Sequence, residues 1–175
     1  MITSLRLIAF IFLFVSSANL CRADLGDSEA QCIRKYGPES NIRTDLGYKQ
    51  VGDESAAFTV KTPTGSLDVT VIFLRGLSCH EAFANTDLSQ GLTQDQMKAI
   101  LDSQSAGLKW ERKRKVYRTV AGTTYGTINW ERSDGAVARF FVSSPAASQT
   151  QTGQVELSTK LYFTAQSTYD KENGG

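Results

Sequence analysis

The chain predicts an α+β fold, an antiparallel sheet with two helices packed on one face in the order helix–meander–helix–meander. Three observations carry that prediction. Two short segments open with capping boxes, Ser28-Glu29-Ala30-Gln31 and Thr93-Gln94-Asp95-Gln96, and continue with apolar residues at helical spacing. Other stretches alternate apolar and polar residues in the period of a half-buried strand, most clearly Leu67, Val69, Val71 and Phe73. The strands come in runs separated by single helices, a pattern that pairs neighbours antiparallel instead of building a parallel sheet.

The elements follow in order. Met1 to Arg6 is a short basic start, Leu7 to Val15 an unbroken apolar run, and small residues follow at Ser16, Ser17, Ala18 and Ala23. This is the layout of a secretory signal peptide, residues 1–23, too short in its apolar part to span a bilayer. Cleavage after Ala23 leaves an even pair of cysteines, Cys32 and Cys79, whereas cleavage after Ala18 would retain Cys21 as well. Leu20 stands where a lipid-modifying peptidase wants a small residue, which argues against lipid attachment at Cys21.

The mature chain then starts at Asp24, and its length suits a single α+β domain over 24–168. Loss of Arg6 and Arg22 leaves 17 basic against 18 acidic residues. A charge so near zero gives no global attraction to nucleic acid or to an anionic membrane.

In the first helix Ala30, Ile33 and Tyr36 fall on one face, with Cys32 and Gln31 near its edge, and the helix ends at Gly37-Pro38, where Pro cannot continue the hydrogen-bond ladder. Strands are expected at Leu46–Val51, Ala56–Thr62, Leu67–Leu74 and Leu77–Ala84, separated by the turns Gly52-Asp53-Glu54, Pro63-Thr64-Gly65 and Arg75-Gly76. Leu92 and Met97 staple the start of the second helix, Met97, Ile100 and Leu101 form its buried stripe, and Ala106-Gly107 closes it. Strands follow at Lys109–Val120, Thr123–Arg132 and Ala136–Val142, with a Ser133-Asp134-Gly135 turn. Residues 143–153 are rich in Ser, Gln and Thr without periodicity and read as a surface loop. Val155, Leu157, Thr159, Leu161 and Phe163 alternate into a last strand, and 169–175 reads as a frayed polar tail.

The segment Leu25 to Pro38 carries Ser28-Glu29-Ala30-Gln31-Cys32 and Tyr36-Gly37-Pro38. It resembles the opening of a family of small exported bacterial proteins without an assigned function, which begin "G-x-(S/T)-E-A-Q-C-x-x-R-Y-G-x-P". The likeness extends through the Phe73–Gly76 hairpin, the helix ending at Gly107 with Trp110 beyond it, and the Trp130–Gly135 hairpin. The marks are caps, helix stops and turns. A looser likeness is to small periplasmic domains of the outer-membrane-assembly lipoprotein and β-lactamase-inhibitor-protein type. Those domains bind other proteins and catalyse nothing, which implies a binding role.

Chemistry-bearing residues are few. Cys79-His80-Glu81 is the one place where a thiol, an imidazole and a carboxylate stand together. On a regular strand Cys79 and Glu81 would share one face and His80 would take the other, out of reach of its neighbour's thiol. Two cysteines and one histidine without metal-ligand spacing do not make a zinc site, and no cofactor motif is present. Cys32, on the first helix, and Cys79, on a strand that helix could cover, are expected to form a disulfide in an oxidising compartment; two buried free thiols are the alternative. Lys109, Arg112, Lys113, Arg114, Lys115 and Arg118 make a basic run interleaved with Trp110 and Tyr117. They form either an anion-binding edge or the protective charge of an edge strand.

These features point to a secreted or periplasmic, non-enzymatic interaction or accessory protein whose partner is another envelope or secreted protein. No nucleic-acid partner and no membrane span after signal cleavage are expected, and the oligomeric state stays open. The alternative is a small-ligand or polyanion-binding module using the Lys109–Arg118 edge. A third reading is a secreted hydrolase that uses His80.

Overall fold

The computed structural model describes residues 24–40, 51–87, 89–121, 123–145 and 154–173. Three helices, α1 (Glu29–Tyr36), α2 (Gln94–Ser103) and α3 (Lys160–Asn173), accompany seven strands among these residues. The strands are β1 (Glu54–Thr62), β2 (Gly65–Leu74), β3 (Leu77–Asn85), β4 (Trp110–Val120), β5 (Thr123–Arg132), β6 (Val137–Pro145) and β7 (Val155–Ser158). They form one antiparallel sheet in the order β1-β2-β3-β7-β6-β5-β4, so two three-stranded meanders are joined by β7 and the open edges are β1 and β4.

Both helix starts are built as expected. The Gln31 side chain accepts from the Ser28 amide at 2.8 Å. Gln96 accepts from the Thr93 amide at 2.9 Å while its own amide donates to the Thr93 hydroxyl at 3.1 Å. The β2–β3 turn is Arg75-Gly76, with φ of 57° and 75°, the two left-handed residues that a tight antiparallel hairpin requires. The main core lies between one sheet face and α1 and α2. It contains Cys32 and Tyr36, Phe58, Val71, Phe73 and Phe83 from the first meander, Ile100 and Leu101, and Trp130, Phe140 and Leu157 from the other half.

Several expectations are corrected. The alternation from Val155 ends at Ser158, and Lys160–Asn173 form α3, which takes in 169–173 of the segment read as a frayed tail; 174–175 lie outside the described residues. Thr159 starts that helix, its hydroxyl accepting from the Tyr162 amide at 3.2 Å. Tyr162, Phe163, Ala165, Gln166 and Tyr169 then carry its shielded side at helical, not strand, spacing. The order is therefore helix, strands, helix, strands, helix. α3 packs on the face opposite α1 and α2, where Ile72, Cys79 and Tyr162 form a second, smaller cluster. Ser143–Pro145, read as the start of a loop, continue β6. The residues 146–153 of that loop, the signal segment 1–23 and all of the Leu46–Val51 strand except Val51 lie outside the described residues; Val51 itself is in a turn.

Cys32 and Cys79 are both free and buried. They belong to different clusters on opposite faces of the sheet, so the sheet separates the two sulfurs and the expected disulfide does not form. The cause is local. Ile72 pairs with His80 and Phe73 with Ser78, which leaves Cys79 as the extra residue of a β-bulge. The bulge breaks the alternation and turns Cys79 to the α3 face.

Candidate functional site

The bulge also rearranges the Cys79-His80-Glu81 trio. Cys79 and His80 both face α3, whereas Ser78 and Glu81 face α1 and α2. The thiol and imidazole thus share a face, the reverse of what strand alternation predicts, and the carboxylate is the one set apart.

On the α3 face His80 is 1% exposed, its Nδ1 lies 2.8 Å from the Ser158 hydroxyl, and its ring stacks on Tyr162 with centroids 4.5 Å apart. Burial, helped by the nearby Arg139 charge, lowers its pKa from 6.5 to about 4, so the ring is neutral at ordinary pH. The Arg139 guanidinium lies over the Phe163 ring, 4.9 Å from its centroid, and secures the first turn of α3. A serine–histidine pair resembles hydrolase chemistry, but here Tyr162 roofs it. Burial raises the Cys79 thiol to about 11 and Cys32 to about 12, so neither is a ready nucleophile.

On the other face Glu81 is fully buried and ties three elements together. Its Oε2 accepts from the Tyr36 hydroxyl of α1 at 2.8 Å and from the side-chain amide of Gln104, just past α2, at 2.8 Å. Burial raises the carboxyl from 4.5 to about 7, and the hydrogen bonds from Tyr36, Ser78 and Gln104 offset this only in part. Arg132 of β5, 3% exposed, donates to the Gln104 carbonyl and grips Asp134 through Nε at 2.9 Å and Nη2 at 2.7 Å. It sits 5.2 Å from the Trp110 ring centroid, and the Trp110 Nε1 donates to the Leu101 carbonyl at 2.9 Å. A cation at the end of α2 is favourable because the last carbonyls there lack helical partners. This network is structural: it fastens both helices to the sheet. Sequence reasoning missed Gln104, Arg132 and Ser158, since nothing in local spacing marks a partner 23 to 78 residues away.

The basic run does form an edge strand, β4. Its cations do not converge. Arg112 and Lys115 pair with Trp130 and Ile128 and share their face, that of α1 and α2, while Arg118 pairs with Tyr125 on the other face. Lys113 is held by Glu111 at 2.9 Å and Glu131 at 3.8 Å. Lys109 is exposed just before the strand, and Arg114 lies in the bulge. Trp110 and Trp130 serve as packing anchors. Beyond the bulge, Val116, Val120 and Tyr125 are 51%, 45% and 52% exposed on the face that carries α3.

An open cleft of about 420 Å³ lies between the β1–β2 turn and the loop before α2, lined by Thr64, Ser66, Asn85, Asp87, Gln90 and Gln96. Its polar groups hold the loop itself: the Asn85 amide donates to the Gln90 and Gly91 carbonyls, and Asp87 accepts from Ser89 and Gln90. Among the described residues no three His, Cys, Asp or Glu side chains converge as metal ligands, and no helix is long and apolar enough to cross a membrane. No protein-family model, curated protein or solved structure matches the chain.

Proposed function

We propose that the protein is an exported, non-enzymatic interaction module that binds another protein through the β4 edge of its sheet. One observation carries this reading: β4 is a terminal strand whose last half stands exposed with Val116, Val120 and Tyr125 beside it. Exposed apolar side chains next to an open strand edge are what strand addition by a partner uses. The other terminal strand, β1, already receives the Ser40 amide on its Ala57 carbonyl at 2.8 Å. The likeness to exported binding domains supports the same role and the same compartment. The polyanion alternative draws less support, because the cations are divided between two faces and Lys113 is engaged with carboxylates.

Site-specific photocrosslinking tests the proposal. A crosslinker at Val116 is expected to give one discrete adduct in the native host envelope, competed away by unmodified protein. The same group at Lys98, exposed on α2, is expected to give none. Equal labelling from both positions, or from neither, refutes an edge interface. Heparin chromatography decides the alternative: salt-resistant retention that disappears when Arg112, Lys113 and Arg114 are all replaced by Ser would establish a polyanion site instead.

A further inference from the structure

Resting on the reading of β4 as an interaction edge, we infer that its occupant is an acidic, extended segment of another protein, added as a strand along Lys115–Val120. β4 is divided by a bulge: Arg112 pairs with Trp130 and Lys115 with Ile128, so Lys113 and Arg114 together oppose Asn129. A bulge interrupts the ladder and bends the strand away from a new neighbour. The first half is also fixed inward through Trp110. After the bulge the geometry is regular, with six consecutive Cα partners from Lys115–Ile128 to Val120–Thr123. The residues there, Val116, Tyr117, Thr119 and Val120, are those that favour extended pairing. An added strand would place alternate side chains against Val116, Arg118 and Val120 on one face, and against Lys115 and Thr119 on the other.

Charge selects the occupant. Residues 109–118 hold six cations and one carboxylate, Glu111. Lys113 is neutralised locally, whereas no ion pair among the described residues engages Arg112, Lys115 or Arg118. A second copy of the chain fits badly. Antiparallel self-pairing lays this cationic run alongside its own copy, and like charges gathered along one pair of strands repel. The chain's own undescribed segments supply no acidic strand either, since 1–23, 41–50, 146–153 and 174–175 contain a single carboxylate, Asp45. The matching ligand is therefore a foreign segment that alternates acidic with apolar residues.

Fluorescence anisotropy with the mature protein and labelled synthetic peptides tests this. A peptide of alternating Glu and Val is expected to bind about tenfold or more tightly than its Lys/Val counterpart. N-methylation of alternate amides, which keeps every charge but removes main-chain donors, should weaken binding by about tenfold. Lys115→Ser, on the face opposite Val116 and Val120, should weaken the Glu/Val peptide and leave a Thr/Val peptide unaffected. Equal binding of the N-methylated peptide would overturn strand addition and leave a simple charge effect. Tighter binding of the Thr/Val peptide would keep the edge interface but refute an acidic partner. Binding of no peptide, together with failure of the Val116 crosslink, would remove the edge reading as well; binding of no peptide with that crosslink intact would refute only the strand-adding acidic segment.

Discussion

His80 and Glu81 are consecutive, buried on opposite faces, and shifted in opposite directions, so each should conceal the other's effect on stability. The Glu81 carboxyl titrates at 4.5 when unfolded and at about 7 when folded. Between those values the unfolded chain has lost the proton and the folded one keeps it. The Glu81 contribution is thus fully present below pH 4.5 and is lost as pH rises toward 7. His80 titrates at 6.5 when unfolded and at about 4 when folded, so its contribution is present above 6.5 and lost as pH falls toward 4. At about 1.4 kcal/mol per pH unit, either interval is worth about 3 kcal/mol, and the two nearly cancel over their overlap. Neither side chain reaches solvent, so screening does not reduce the figure. Glu81→Gln, which preserves the shape and the bonding to Tyr36 and Gln104, should leave the His80 dependence alone: stability relative to wild type should improve by about 3 kcal/mol from pH 4 to 7. His80→Gln should do the opposite by a similar amount. Urea unfolding at each pH reads the difference, because the remaining titrating groups are common to all three proteins. Variant curves that run parallel to wild type between pH 4 and 7 would refute the opposed linkage.

Other outcomes follow from particular contacts. Thiol labelling of the mature protein in denaturant without reductant should find both Cys32 and Cys79 reactive, while the native protein should label slowly at pH 8 because both thiols are buried and un-ionised. Gly52→Ala should destabilise by about 3 kcal/mol in denaturant titration, since an added Cβ would stand 2.2 Å from the Ile72 Cγ2 and 2.8 Å from the Phe73 carbonyl oxygen. Thr159→Ala should cost about 1 kcal/mol by removing the acceptor for the Tyr162 amide, with faster hydrogen exchange at the start of α3. The export reading predicts an intact mass beginning at Asp24; an uncleaved or lipid-shifted mass would contradict it.

Local signals determined much of the fold. Ser28 and Gln31, Thr93 and Gln96, and the Arg75-Gly76 turn form the caps and the hairpin that their residue types require, because those interactions close within a few residues. Pairing within each meander was legible for the same reason, as was the edge position implied by the cations of β4. What depended on distant partners was not. β7 is inserted between β3 and β6, an arrangement no short window encodes. The alternation through Phe163 fits a strand as well as the sequence pattern allows, and only a second apolar surface, Ile72 and Cys79 beneath Tyr162, decides for a helix on the far face. A single bulged residue at Cys79 moved one thiol through the sheet, removing the disulfide and bringing that thiol onto the face of His80, while His80 and Glu81 keep the opposite faces that alternation predicts. Period-two reasoning assumes an unbroken ladder, and one extra residue voids it at the point of insertion. Sequence by itself thus settled the type of α1, α2 and the strands of both meanders and most of their boundaries, but not that of α3. Tertiary packing decided which face each chemical group occupies, because facing is set by the neighbour that excludes water and not by the residue itself.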